Sequence, residues 1–183
     1  MRGLTAEILA IGDEMIGGSR LDTNTQFLAR ELSEIGVQVV FHTTVGDDED
    51  RQVEVFQLAA SRVDMVVATG GLGPTADDLT RNVLAKVMNV ELRSDEATIE
   101  HIRSLFRRYR REMPESNLVQ ANFPIGSRII PNPEGTAPGI DAEVNSHDRR
   151  CRFFCLPGVP AEMHEMWNGY VRPEICKMSG GPQ

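Results

Sequence analysis

A chain of 183 residues, 40% hydrophobic, can bury one ordinary core and leaves little for a second. Its 27 acidic residues against 19 basic give a formal charge of −8, which argues against a nucleic-acid surface. No apolar run approaches membrane-spanning length, Met1 to Glu7 lacks the basic start and apolar core of a signal peptide, and three cysteines do not suit a secreted disulfide framework. The expectation is a cytoplasmic protein with no membrane partner.

In chain order, Ala6 to Ile11 reads as a short strand ending at Gly12-Asp13-Glu14. After Gly17-Gly18, Thr23 with Gln26 fits a capping box, and Phe27, Leu28, Leu32 and Ile35 give a helix its apolar stripe up to Gly36. Val37 to Val45 is a second strand running into Gly46-Asp47-Asp48, and Val55, Phe56, Ala59, Ala60 and Val63 mark the next helix. Met65 to Ala68 is a β-branched apolar run, too short for a helix, and it opens into Gly70-Gly71-Leu72-Gly73-Pro74-Thr75. Thr75 with Asp78 fits a second capping box, which predicts a helix through Met88 and leaves Asp77 over. A long helix is expected over 95–111, its arginine-rich face solvated, then a short one at Glu115 to Gln120. Ala121 to Ile140 reads as loop around a small strand at Arg128 to Ile130, and Gly139 to Val144 with Arg152 to Leu156 as a hairpin. Pro157-Gly158 leads to a last helix carrying Met163, Met166, Trp167, Tyr170 and Val171, and 179–183 is a tail. The alternation predicts an α/β, doubly wound domain over 1–178, mostly parallel with an antiparallel edge.

In such a sheet, ligands bind beyond the carboxyl ends of the strands. This chain puts glycines and acids there repeatedly: Gly12-Asp13-Glu14, Gly46-Asp47-Asp48, Gly70 to Gly73 with Asp77-Asp78, and Pro157-Gly158. No phosphate-loop, dinucleotide-fold or serine-elbow motif occurs. Cys151, Cys155, His147 and His164 match no standard zinc spacing, and buried reduced thiols are the expectation. Since Gly70 to Thr80 holds no Lys or Arg, a polyphosphate would need a divalent ion between itself and Asp13, Asp47, Asp77 and Asp78. A heterocycle with adjacent ring N–H and amino groups would instead donate directly to a carboxylate.

The motif Gly70 to Thr80, with Gly12-Asp13-Glu14, Asp22-Thr23-Asn24, Val45 to Asp48, Asn117 with Gln120-Ala121, Gly135 to Gly139 and Leu156 to Pro160 with Glu162-Met163, resembles the N-terminal domain of the CinA family, competence- and damage-inducible proteins within the molybdopterin-binding (MogA/MoaB-like) superfamily. Met15 and Ile16 depart from the family's leucines. The resemblance implies a self-associating domain with metal-dependent ADP-ribose pyrophosphatase activity, giving AMP and ribose 5-phosphate; the family's C-terminal deamidase domain would be missing. It places Asp47 and Asp78 where the family's functional aspartates lie; the expectation is that Asp47, Asp77 and Asp78 are catalytic and that Asp13, Asp47 and Asp78 are ligands of Mg, Mn or Co, with a monovalent cation as a further candidate. Substrate would meet Asp13, Glu14, Thr23, Asn24, Gly70, Gly71, Gly73, Pro74, Thr75, Thr136, Gly139, Pro157 and Gly158. The alternative is a binding protein for molybdopterin or its adenylylated form. A scaffold with merely solvated acids would leave the strand-end pattern unexplained.

Overall fold

The computed structural model describes residues 3–146 and 149–178. In chain order the strands are β1 (Thr5–Ile11), β2 (Gln38–Val45), β3 (Met65–Thr69), β4 (Leu92–Ser94), β5 (Asn122–Pro124), β6 (Arg128–Ile130), β7 (Gly139–Ser146) and β8 (Arg149–Leu156). Six form one sheet in the order β2-β1-β3-β8-β7-β6, while β4 and β5 pair separately. The first four strands of that order are parallel, and β7 and β6 continue antiparallel, as the hairpin pattern predicts.

The helices are α1 (Asp13–Ile16), α2 (Thr23–Glu34), α3 (Glu49–Arg62), α4 (Thr80–Met88), α5 (Glu96–Arg108), α6 (Pro160–Met166) and α7 (Arg172–Met178), with a 3-10 turn at Glu115–Ala121 and a π turn at Trp167–Val171. Successive side chains of the central strands feed opposite cores. Leu9, Val66, Ala68 and Phe153 pack with Phe56, Ala60, Val83 and Leu84 of α3 and α4. Ile8, Val67, Phe154 and Leu156 pack with Leu28, Leu32, Met163 and Trp167 on the other face. Burial on both faces is why β3, most of β1 and Phe153 to Leu156 of β8 read as apolar runs.

Two charges are buried in the sheet itself. Glu7, in β1, accepts from Arg62 Nε (2.8 Å) and Nη2 (2.6 Å) and from the Thr43 hydroxyl (2.6 Å). Asp141, in β7, is 0% exposed and accepts from Arg152 (2.8 and 2.6 Å), Arg128 (2.9 and 3.1 Å) and the Tyr170 hydroxyl (2.9 Å). Cys151 and Cys155 are buried in the same core, and burial pushes both thiols up to about 12.

The sequence expectations need correction at four places. Asp22 caps α2, its carboxylate accepting from Thr25 N (2.8 Å), so Thr23 is the first helical residue. Thr75 caps nothing: α4 starts at Thr80, because Asp78 folds back onto its own loop. α5 ends at Arg108, short of Arg111, and 122–124, expected as loop, pairs with 92–94 in a small sheet. His147 and the tail 179–183 lie outside the described residues. Among the described residues, no helix is long and apolar enough to cross a membrane.

Candidate functional site

Beyond the carboxyl ends of β1, β3 and β8 lies a cleft of about 450 Å³. Its floor is the loop 70–73, which leaves β3 through two left-handed glycines, Gly70 (φ 110°) and Gly71 (φ 66°). A β-carbon at Gly70 would sit 2.2 Å from the Ile11 carbonyl oxygen, and one at Gly71 2.3 Å from Thr80 Oγ1. The loop is drawn against the start of α4 by its carbonyls. Thr80 Oγ1 donates to Gly70 O (2.9 Å), Thr80 N to Gly71 O (3.1 Å), and Arg81 through Nη2 to Leu72 O and through Nη1 to Gly73 O (3.2 Å).

The rest of the lining presents acceptors. Asn24, 8% exposed, donates its Nδ2 to Thr69 Oγ1 (3.0 Å) and Gly158 O (3.1 Å), which leaves its Oδ1 buried with no partner. Six acids line the cleft, Glu14, Asp22, Asp47, Asp77, Asp78 and Glu162, against a single base, Arg20. Glu162 is held by Asn132 Nδ2 (2.7 Å), which also donates to Ala137 O (3.0 Å) and so ties the 132–137 loop to the cleft's edge.

Of the residues expected at the site, Glu14, Thr23, Asn24, Asp47, Gly70, Gly71, Gly73, Pro74, Asp77, Asp78, Thr136, Pro157 and Gly158 line the cleft. Asp13, Thr75 and Gly139 do not. Asp13 is turned to Asp47: its Oδ1 accepts from Asp47 N (3.0 Å) while Asp47 Oδ2 accepts from Asp13 N (3.0 Å). Thr75 spends its amide (2.9 Å) and its hydroxyl on Asp78. Gly139 sits inside the sheet, where a β-carbon would meet Cys155 O at 2.6 Å and Met166 at 2.8 Å, so it serves packing and not a pocket wall.

These bonds decide what a cation would find. Asp78 Oδ1 accepts from Gly73 N (2.7 Å), its other oxygen accepts from Thr75, and Asp13 and Asp47 each commit an oxygen to the other's backbone. Among the described residues, no three His, Cys, Asp or Glu side chains converge as a metal cage. The residues as folded therefore do not fit a resident divalent ion of protein ligands alone.

Asp47 has its carboxyl raised above the usual range, first by burial and then, against the Asp13 amide that lowers it, by the charges of Asp13, Glu14 and Asp77. With the folded value above the unfolded one, the native state holds the extra proton between them, so stability falls as pH rises through that interval. Asp47→Asn is expected to raise the melting temperature at neutral pH, and the gain to shrink once the medium is acid enough to protonate the wild-type carboxyl. Melting curves across that range check it, and a loss of stability at neutral pH would contradict it.

Sequence reasoning missed Arg20, Thr69 and Arg81. The first two stand beside quoted motifs, whereas an arginine inside a helix gives no sign of pointing inward.

Residues 7–177 match the family described as "Probable molybdopterin binding domain". A CinA-like protein of Dictyoglomus thermophilum is 44% identical over 178 residues, 97% of this chain and 42% of that one. The chain thus spans about two fifths of that relative's length. The crystal structure of CinA from Thermoplasma acidophilum superposes with a TM-score of 0.81 at 32% identity, covering 93% of this chain and 98% of that one. The tungsten cofactor synthesizing protein MoaB from Pyrococcus furiosus, at 18% identity, TM-score 0.62 and 98% coverage of each chain, shares the fold. With motif, sheet order and these matches in agreement, the chain belongs to the CinA family, on the molybdopterin-binding fold.

Proposed function

We propose that the cleft binds a phosphorylated pterin of the molybdopterin kind, its ring toward the Asn24 and carboxylate acceptors and its phosphate toward the 70–73 loop. The observation that carries this reading is the unpartnered, buried Asn24 Oδ1 in a cleft whose charged lining is six carboxylates and one arginine. A buried acceptor with no donor costs free energy until a ligand or water supplies one. Adjacent ring N–H and amino groups supply several at once. Titrating the protein with a phosphorylated pterin in chelator-treated buffer, followed by ring fluorescence, tests it. Asp77→Asn, which puts an amide in place of an acceptor oxygen, should weaken binding on the order of tenfold to a hundredfold. Unchanged affinity in that variant would refute the donor–acceptor pairing.

The second reading is hydrolysis of ADP-ribose to AMP and ribose 5-phosphate, favoured by the raised carboxyl of Asp47, a shift in the direction that makes a carboxylate a better proton acceptor. In this reading Mg, Mn or Co enters with the diphosphate. AMP release that requires the added metal and disappears in Asp47→Asn would establish it. Association of copies of the chain belongs to both readings and is reported by light scattering.

A further inference from the structure

Charge at the cleft is one-sided. Six carboxylates line it, so an anionic ligand meets like charge unless a cation answers. The acids make no metal cage among the described residues. The buried Arg81 spends its guanidinium on the Leu72 and Gly73 carbonyls and does not line the cleft. Arg20 is the base that does.

Arg20 lies on the strap between α1 and α2, and both ends of that strap are tied. Gly17 N donates to Asp13 O (2.8 Å), while Ser19 N and Oγ both donate to Glu14 O (3.2 and 3.3 Å). Gly18 takes the left-handed φ of 65° that reverses the chain between them. At the far end Thr23 N donates to Leu21 O (3.0 Å), and Asp22 gives its two carboxylate oxygens to Thr25 N and Thr25 Oγ1. The acid nearest in sequence is thereby occupied. Arg20 is exposed, and among the described residues it has no hydrogen bond or ion pair. Other exposed arginines behave differently: Arg30, Arg103 and Arg107 each pair with a glutamate of their own helix. A tethered arginine left unpaired in a cleft full of carboxylates is a cation whose counter-charge comes from the ligand.

We infer that Arg20 is a specificity-determining residue of the cleft: it pairs with a phosphate monoester on the ligand and selects the phosphorylated form over the dephosphorylated one without a metal ion. This rests on the pterin reading and assigns the residue that reads the ligand's charge. A guanidinium fork makes two parallel bonds to phosphate oxygens, and salt screens the pair because it faces water.

The test titrates the whole chain with hydroxymethylpterin and with its phosphate monoester in chelator-treated buffer, following ring fluorescence. The wild type should bind the ester about tenfold tighter than the alcohol, and rising salt should erode that preference. Arg20→Met should abolish the preference by weakening the ester alone, with the melting curve unchanged. Arg20→Lys should keep part of it, since lysine retains the charge and loses the fork. Leu21→Ser, a neutral change on the same strap, should leave the ratio of the two affinities as in the wild type. A wild-type ratio in Arg20→Met overturns the assignment, as does a preference that the wild type shows only with added Mg²⁺, or one that Leu21→Ser abolishes equally. A wild type that binds both probes alike overturns it and leaves the pterin reading standing; one that binds neither refutes that reading itself, and the assignment with it.

Discussion

Asp141→Ala should destabilise the protein by about 3–4 kcal/mol at neutral pH, because the substitution strands the buried ends of several side chains at once. Arg152 would keep Glu174 (2.7 Å), but the Tyr170 hydroxyl and one face of the Arg152 guanidinium would lose their acceptor in the interior. Burial alone would raise the Asp141 carboxyl; the hydrogen bonds from Arg152, Arg128 and Tyr170 outweigh it and hold the group at about 2. With a folded value below the unfolded one, the stabilisation is present above the unfolded carboxylate range and is lost as pH falls through about 2. The gap between wild type and variant should therefore narrow on acidification. Denaturant unfolding at neutral pH and at a pH of about 3 measures both effects, and a neutral-pH difference under about 1 kcal/mol would show that the network is ornamental to stability. Asp141 does not line the cleft, so whatever protein remains folded should bind ligand normally.

A methyl group at Gly70 should do comparable damage and spoil the site as well. Its φ of 110° is closed to ordinary side chains, and the added carbon would lie 2.2 Å from the Ile11 carbonyl, a backbone atom that cannot step aside. Strain of this kind costs roughly 2–3 kcal/mol, and relieving it means pulling β1 and the loop apart at the cleft floor. Gly158→Ala is the matched control: its β-carbon would rest 3.6 Å from Gly70 Cα, an ordinary contact. It should leave stability within about 0.5 kcal/mol of wild type. Thermal melts of the pair, read beside ligand titrations, separate the effect of the loop's shape from that of filling the cleft. Equal stability of Gly70→Ala and wild type would mean that the loop tolerates another path.

The order of strands and helices was legible because β3, most of β1 and Phe153 to Leu156 of β8 are apolar and buried on both faces, while α2 and α3 carry stripes facing one core each. The β4–β5 pair was not, since three-residue strands, one ending in Pro124, carry no period to read, and their pairing joins segments about 30 residues apart in sequence. The false capping box shows a subtler limit. Thr75 and Asp78 do have the spacing of a cap, and they do bond to each other, but Gly73 N–H competes for the same carboxylate and delays the helix to Thr80. Most of the glycine and acid pattern at the strand ends does gather around one cleft, as its spacing implied. What spacing could not convey is direction: Asp13 faces Asp47, Gly139 faces the core, and Arg81 lies under the loop whose lack of basic residues had suggested a site without positive charge.

The two thiols of β8 carry a last consequence. Held at about 12 by burial, only on the order of one in 10⁵ would be ionised at neutral pH, and the thiolate is the form that attacks. Peroxides and alkylating reagents therefore find nothing to react with at Cys151 or Cys155 while the sheet stays closed. The two thiols are thus shielded, although the strand that bears them runs from the interior to the rim where ligand would bind.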